Sequence, residues 1–360
     1  MSKYKLVKPF QALRPSSHFS QEVIAPPYDV VDVTEARILA KDKPYSFLRI
    51  SRAELELQKK TDPYSDLVYQ RAASNLSKLR KDGILIEDKT PSYYIYRISN
   101  STHHQTGIAV AASIEAYKTN KIKRHELTRT SKEQDRINQI NATQAQSGPV
   151  MLVNRHSPAF TALLKKNTAE KKSSNKANVA GWKHEIWAIK EASIIEQFTD
   201  LINKMDSLYI ADGHHRSAAA MAVSESHKNT ADAFLAVIFD EKELDILDYN
   251  RVIRDLNGLN SDSFITHLKK YFTIEKKSSA IRPTSRHKYG LYLDSTWFEL
   301  NLLPSLKKDD LIEGLDVSII QNLVLDEILS IKDVRTDNRI DFVGGSRGSQ
   351  GVTNRVDSGE

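Results

Sequence analysis

Leu208-Tyr209-Ile210-Ala211-Asp212-Gly213-His214-His215-Arg216-Ser217-Ala218-Ala219-Ala220-Met221 is the densest stretch of this sequence. The apolar run 208–211 predicts a short buried strand. Asp212 and Gly213 break it. Two histidines and an arginine then open a run of Ala and Met, which are strong helix formers. The chain is therefore expected to leave a strand, turn sharply and enter a helix with its cationic side chains in the first turn. A helix N-terminus carries unpaired N–H groups and partial positive charge, so cations there work against helix stability. They fit if an anion sits at the turn, and phosphate is the usual one. The plainer reading is a turn and a helix, with Asp212 as N-cap and the basic residues solvated.

Composition narrows the class. The chain has 360 residues, 40% of them hydrophobic and 27% charged, which is ordinary for a globular protein of two or three domains. It has no cysteine, which excludes disulfides and thiolate metal sites. Lys and Arg number 52 against 46 Asp and Glu, a net charge of +6. That mild excess suits anionic ligands. It does not point to nucleic acid: there is no helix-turn-helix pattern and no long basic run beyond 121–124. No apolar run approaches the ~20 residues of a membrane span, and no secretory signal opens the chain. A soluble, cytoplasmic protein is expected.

Upstream of the turn, residues 1–24 read as an extended arm, with 10–13 able to pair at a sheet edge. Ala25-Pro26-Pro27-Tyr28-Asp29-Val30 follows. Its prolines fix φ and forbid a helix, so Tyr28 and Asp29 stand on a rigid loop. Residues 32–40 predict a short helix capped by Asp32 or Thr34, and 44–50 a strand. A helix is expected over 64–82, closed by Gly83. Residues 84–86, 93–97 and 106–114 read as successive strands of one sheet.

The second dense stretch is 122–136, Ile-Lys-Arg-His-Glu-Leu-Thr-Arg-Thr-Ser-Lys-Glu-Gln-Asp-Arg. As a helix it would place His125, Arg129, Lys132 and Arg136 on one face, with Glu126, Thr130 and Glu133 beside them. Cations for phosphates and a carboxylate for a proton or Mg²⁺ are what phosphoryl transfer needs. A solvated helix stitched by Glu/Arg pairs explains the same charges.

Beyond it, 149–153 reads as a strand, 165–178 as a loop, 182–189 as a strand and 194–205 as an amphipathic helix. Residues 235–239 and 244–247 predict a hairpin, with Arg251 where a later strand meets a loop. Residues 258–305 look like a separate small unit, and 315–329 a helix. The expected organisation is α+β: a main domain over 1–257, a small α/β subdomain over 258–310, and a segment 311–360 that returns to the main domain.

Several segments together resemble the family known as DUF1015. They are Ala25-Pro26-Pro27-Tyr28-Asp29-Val30, Lys123-Arg124-His125-Glu126-Leu127-Thr128-Arg129 with Lys132-Glu133-Gln134-Asp135-Arg136, Ala211-Asp212-Gly213-His214-His215-Arg216, Tyr249-Asn250-Arg251, and Arg335-Thr336-Asp337 with Arg339-Ile340-Asp341-Phe342-Val343-Gly344-Gly345. The resemblance runs nearly end to end. Relatives run on past Val356-Asp357-Ser358-Gly359 into a Pro/Lys-rich segment, where this sequence reads Glu360. Asp212-Gly213-His214-His215-Arg216 is also similar, more distantly, to the Asp-Gly-x-His-Arg turn of the ParB/sulfiredoxin-like fold. That fold includes free-serine kinases, nucleotide-dependent ParB proteins and sulfiredoxin. The likeness implies a ParB/sulfiredoxin-like core in which Asp212, Gly213, His215 and Arg216 cradle nucleotide phosphates.

Two functions follow as expectations. The first is phosphotransfer on a small metabolite, free L-serine or phosphoserine, using ATP or ADP with Mg²⁺. Asp212, Gly213, His214, His215, Arg216, Lys123, Arg129 and Arg136 would bind phosphate or nucleotide. Glu126, Glu133 and His215 would carry the catalysis, and Tyr28, Asp29 and Arg251 would wall the substrate. The second is a nucleotide-dependent switch of the ParB kind, without metabolic turnover. No dedicated metal site is expected: adjacent His214 and His215 diverge, and no His-x₃-His spacing occurs.

Overall fold

The run 208–212 is a strand because Leu208 and Ile210 alternate into the core, fully buried. The computed structural model describes residues 5–126, 128, 130–226, 231–334 and 336–359. Among them, nine strands join in one mixed sheet. In chain order they are β1 (Val7–Lys8), β2 (Tyr93–Ser99), β3 (His104–Ser113), β4 (Ile122–Lys123), β5 (Val150–Asn154), β6 (Asn175–Val179), β7 (Trp182–Ile189), β8 (Leu208–Asp212) and β9 (Ala233–Asp240). The order across the sheet is β4-β8-β5-β9-β3-β2-β7-β6, with β1 also paired to β3. β4 runs parallel to β8 and β5 parallel to β9; the other pairs are antiparallel. The architecture is α+β.

Six helices matter for the site: α1 (Val33–Ala40), α2 (Asp66–Lys81), α3 (Thr130–Thr143), α4 (Pro158–Thr168), α5 (Ala192–Asn203) and α6 (His214–Ser226). Asp32 caps α1 as expected, accepting from the N–H groups of Thr34 and Glu35. Phe160 of α4 and Phe198 of α5 share one core with Ile95, Ile108, Val110 and Ile238 of the sheet. Truncating either phenylalanine would cost about 3–5 kcal/mol. α3 packs against both α6 and α2. Ser217, Ala218, Ala219 and Ala220 of α6 are all buried, so the small side chains that gave helix propensity also permit close packing.

Five expectations change. Residues 84–86 do not share a sheet with 93–97 and 106–114: Leu85–Glu87 pairs with Leu13–Pro15 in a separate two-stranded sheet. The stretch 122–136 is not one helix. Buried Ile122 pairs with Leu208 in the sheet, and α3 begins only at Thr130. Sheet pairing overrides helical spacing, so His125 lies off the helix that carries Lys132 and Arg136, and Arg129 falls outside the described residues. The segment 165–178 is not a loop: α4 starts at Pro158, capped by Ser157, and β6 pairs with β7. Exposed Lys176 and Asn178 alternate with buried Asn175 and Ala177, as on a sheet-edge strand. No hairpin follows β9, where a 3₁₀ turn over Glu241–Glu243 leads to exposed Ile246 and Leu247. Residues 44–50 are not a strand. Arg49 donates to the carbonyls of Ala40 and Lys43, and a helical turn forms at Leu48–Ser51.

The chain divides into two compact units, Met1–Leu244 and Asp245–Glu360. The sequence reading groups 245–257 with the first body and returns 311–360 to it. In the structure Tyr249–Ile253 pairs with Ile340–Gly344, and both strands belong to the second unit. That unit also holds a three-stranded antiparallel sheet, Phe272–Lys277 and Lys288–Leu293 flanking Thr296–Leu302. Phe264, Phe272, Leu300, Leu325 and Leu329 form its core. The expected helix over 315–329 is an α-helix, Asp316–Ile320, continued by a π-helix, Gln321–Asp326. Among the described residues no helix is long and apolar enough to cross a membrane.

Candidate functional site

β8 delivers the turn. Its register against β5 slips between Ile210 and Asp212. The bulge leaves Ala211 without a partner while Asp212 pairs with Met151, and both Ala211 and Asp212 are exposed. Gly213 follows at φ +96°. A Cβ there would lie 3.1 Å from Arg216 Nε and 3.2 Å from Val150 Cα. Glycine meets both demands, the backbone angle and the close approach. The first helical bond runs from Ser217 N–H to the Gly213 carbonyl at 3.0 Å. Gly213 therefore occupies the cap position expected for Asp212.

The three basic residues go separate ways. Arg216 turns back: one terminal nitrogen donates to the Asp212 carboxylate, the other to the Pro149 carbonyl. His214 turns inward and is only 3% exposed. Its Nδ1 lies 3.3 Å from Glu126 Oε2. Its Nε2 faces the His125 N–H at 3.5 Å, and the two imidazoles meet edge to face at 4.5 Å. These contacts fit the tautomer protonated on Nδ1. Burial pushes the His214 imidazole below the ordinary histidine range, and nearby His125 adds to this. Glu126 and Asp212 act the other way. His214 is thus held neutral. His215 is half-buried in the first turn of α6.

Arg136 comes from α3 and is 7% exposed. Asp135 accepts from its Nη2 at 2.6 Å and its Nε at 3.0 Å. Asp135 also accepts from the Tyr69 hydroxyl at 2.9 Å. The guanidinium lies 4.0 Å from the centroid of the Tyr28 ring. Burial raises the Tyr28 phenol above its ordinary value. Arg136 and Arg216 both pull it down, while Asp29 and Asp135 push it up. Tyr28 thus feels both guanidiniums. Arg136 and Arg216 line one small cavity of about 20 Å³ with Gln139, Gly148 and Val150. That is room for one water molecule.

The segments around 125–136 and 212–216 come together in two clusters. One is His125, Glu126 and His214; the other is Tyr28, Arg136 and Arg216. Glu133 accepts from the Thr128 hydroxyl at 2.9 Å and so ties down the approach to α3. Lys132 is exposed. Lys123 sits 5.5 Å from the Tyr209 ring centroid, a ring it shares with Arg155 at 5.6 Å. Arg251 belongs to the second unit, donating to the Tyr249 carbonyl and lying 5.9 Å from the Phe342 ring centroid. The sequence reading missed Asp135 and Tyr69 as anchors of Arg136. It also missed Gly148 and Pro149, which sit against Arg216. A Gly-Pro pair just before a buried strand was the available signal.

A family model described as "Protein of unknown function (DUF1015)" matches residues 7–318. No curated protein and no solved structure matches the chain.

Proposed function

Taking as premise that the chain belongs to the DUF1015 family, we propose that it transfers a phosphoryl group to a small hydroxyl-bearing metabolite. The observation that carries this reading is the meeting of Arg136 and Arg216 on one cavity, beside Tyr28. They are 80 residues apart in sequence, from 216 − 136, and each is oriented by its own carboxylate, Asp135 or Asp212. Two guanidiniums held in place are suited to phosphate oxygens, which they contact by bidentate, charge-assisted hydrogen bonds. The cavity holds one water, so a phosphate enters as Arg216 exchanges the Asp212 carboxylate for the anion.

The donor in this reading is ATP or ADP. The hydroxyl oxygen of the acceptor attacks the terminal phosphorus, and the bond from that phosphorus to the bridging oxygen breaks. The shortened nucleotide leaves with the bond electrons. The carboxylate proposed to take the hydroxyl proton is Glu126, which pairs with His214 in the neighbouring cluster and not in the lining of the arginine cavity. Accompanying Mg²⁺ would neutralise phosphate charge and keep phosphate and water as ligands. The finer reading treats the Asp212–Arg216 turn as the counterpart of the ParB/sulfiredoxin-like phosphate turn. On that likeness free L-serine is the acceptor; in the hydrolytic alternative phosphoserine is itself the donor, water attacks its phosphorus, the bond from phosphorus to the serine oxygen breaks, and serine leaves.

The test is ³¹P NMR of purified protein with ATP or ADP, Mg²⁺ and L-serine, and separately with phosphoserine. Phosphomonoester should appear in the first mixture or inorganic phosphate in the second. Arg216→Ala, with an unchanged circular dichroism spectrum, should lose the activity by orders of magnitude. Turnover unaffected by that change would sink the proposal.

A further inference from the structure

A second, larger cavity of about 480 Å³ opens beside the arginine site. The two share Gln146, Ser147 and Leu235 as walls. One side of the larger cavity is the sheet, with Ala109 and Ala111 of β3 and Leu235 of β9; Phe47, Ile50 and Leu76 also line it. β3 is an inner strand with β9 and β2 as neighbours, and its alternate residues Ile108, Val110 and Ala112 are completely buried. Ala109 and Ala111 keep part of their surface exposed. A sheet centre left partly uncovered over a volume of several hundred Å³ is the size of a small-molecule pocket, about 300–1,000 Å³.

The polar groups around this cavity say what kind of molecule fits. Gln146 is occupied by β9, donating to the Ala233 carbonyl and accepting from the Leu235 N–H. Arg14 is clamped on Asp88 and Asn175. Arg80 is paired with Glu87, and Gln11 donates to the Lys89 carbonyl. Thr143 and Gln144 donate to backbone carbonyls of their own segment. A nucleobase or an amino acid placed here would lose water from several hydrogen-bonding groups and find Gln146, Arg14 and Thr143 already engaged, with the Ser147 hydroxyl at the shared wall, at a cost of roughly 1–3 kcal/mol for each group left unmade. A hydrocarbon has no such cost. The cationic end of the arrangement is Arg136 and Arg216, across the shared wall.

We infer that this site takes an amphipathic phosphate, with its hydrocarbon body against Ala109, Ala111 and Leu235 and its head at Arg216. The inference rests on the phosphate reading for the head group alone. It goes beyond that proposal by naming a further class of phosphate that the arginines would hold, one that carries a hydrocarbon body.

The experiment is isothermal titration of the full chain with butyl, hexyl and octyl phosphate, inorganic phosphate and phosphoserine. Each methylene that enters the cavity should tighten binding about fourfold, so octyl phosphate should exceed butyl phosphate by far more than tenfold. Ala111→Met adds bulk where the hydrocarbon body would lie and should flatten that chain-length dependence while leaving the response to inorganic phosphate intact. Ala109→Met does the same from a second position if the first variant does not fold. Arg216→Ala should weaken every phosphate alike. Flat chain-length dependence, equal binding of phosphoserine and octyl phosphate, or unchanged octyl phosphate binding by the methionine variants would each overturn the inference. Such results, with phosphate binding still dependent on Arg216, would leave the phosphotransfer proposal standing; phosphate binding indifferent to Arg216 would remove that proposal instead.

Discussion

Arg216 is bound to Asp212, four residues before it, across the glycine that turns strand into helix. The acid competes with any incoming anion for the same guanidinium. It also holds the guanidinium at the mouth of the cavity shared with Arg136.

Asp212→Asn should therefore separate the two roles. Removing the negative charge frees Arg216 for an anion while the amide can still accept one of its hydrogen bonds. Pyrophosphate affinity, read by titration calorimetry, should rise severalfold in Asp212→Asn. It should fall by about 10–100-fold in Arg216→Ala, the loss of a charge-assisted hydrogen bond. Weaker pyrophosphate binding by Asp212→Asn would show that Asp212 orients more than it competes.

Gly213→Ala tests the turn. The backbone sits at φ +96° and the added methyl meets Arg216 Nε at 3.1 Å and Val150 Cα at 3.2 Å. The backbone contact cannot swing away. Destabilisation of about 1–3 kcal/mol is expected, measured by urea denaturation. Phosphate binding should weaken as well, because Arg216 is pushed from its place.

His214 should make the protein sensitive to mild acid. Its folded-state pKa is lowered by burial and by His125. The unfolded chain then binds more protons than the folded one as pH falls through the ordinary histidine value of about 6.5, so stability drops on that side and is regained above it. Melting temperatures at pH 7.5 and 5.5 should differ in the wild type and differ less in His214→Asn. Equal pH dependence in the two proteins would remove His214 as its source.

Local features of the fold are legible in the sequence. Alternating apolar residues mark β2, β3, β5, β7 and β8, and Asp32 announces the α1 cap. The strand–glycine–helix turn is visible in Asp212-Gly213-His214 because its signal is local. Long-range features are not. Lys123-Arg124-His125-Glu126 looks like the start of α3 by spacing. The chain instead uses Ile122 and Lys123 for pairing with β8, a partner 86 residues later by 208 − 122. The anchors of Arg136 are hidden for the same reason. Tyr69 lies in α2 and Tyr28 in the proline loop, and no spacing along one element reveals that three elements converge. The large cavity is invisible in the sequence too. Ala109 and Ala111 read as ordinary strand residues, and only the sheet order shows that they line an open face.

A buried pair beside the large cavity gives a second acid-dependent term. Arg14 grips Asp88 through two nitrogens at 2.7 and 3.0 Å, with Tyr94 donating at 2.9 Å. The Arg14 hydrogen bond is the main cause holding the Asp88 carboxyl down at about 2. The stability it lends is present above the ordinary carboxyl value and is lost as pH falls through about 2. Asp88→Ala removes the charge partner of the Arg14 guanidinium, whose side chain is only 14% exposed, and leaves it the Asn175 acceptor. A loss of roughly 3–5 kcal/mol is expected, read by urea denaturation at neutral pH. Asp88→Asn keeps an acceptor and should cost less.

Tyr28 and Arg136 supply the sharpest test of the arginine site. The ring covers the guanidinium at 4.0 Å, and a contact of this kind contributes about 0.5–2 kcal/mol. Tyr28→Phe keeps the face and removes the hydroxyl, so phosphate affinity should stay within about twofold if stacking is the role. Tyr28→Ala uncovers Arg136 and should weaken phosphate binding by several-fold up to about thirtyfold, the same energy expressed as affinity. Should Phe prove as damaging as Ala, the hydroxyl itself would have to meet the ligand. Tyr28 would then be a binding residue through its oxygen rather than a wall that orients Arg136. Burial holds that phenol above its ordinary value, so at neutral pH it would meet a phosphate oxygen as a donor.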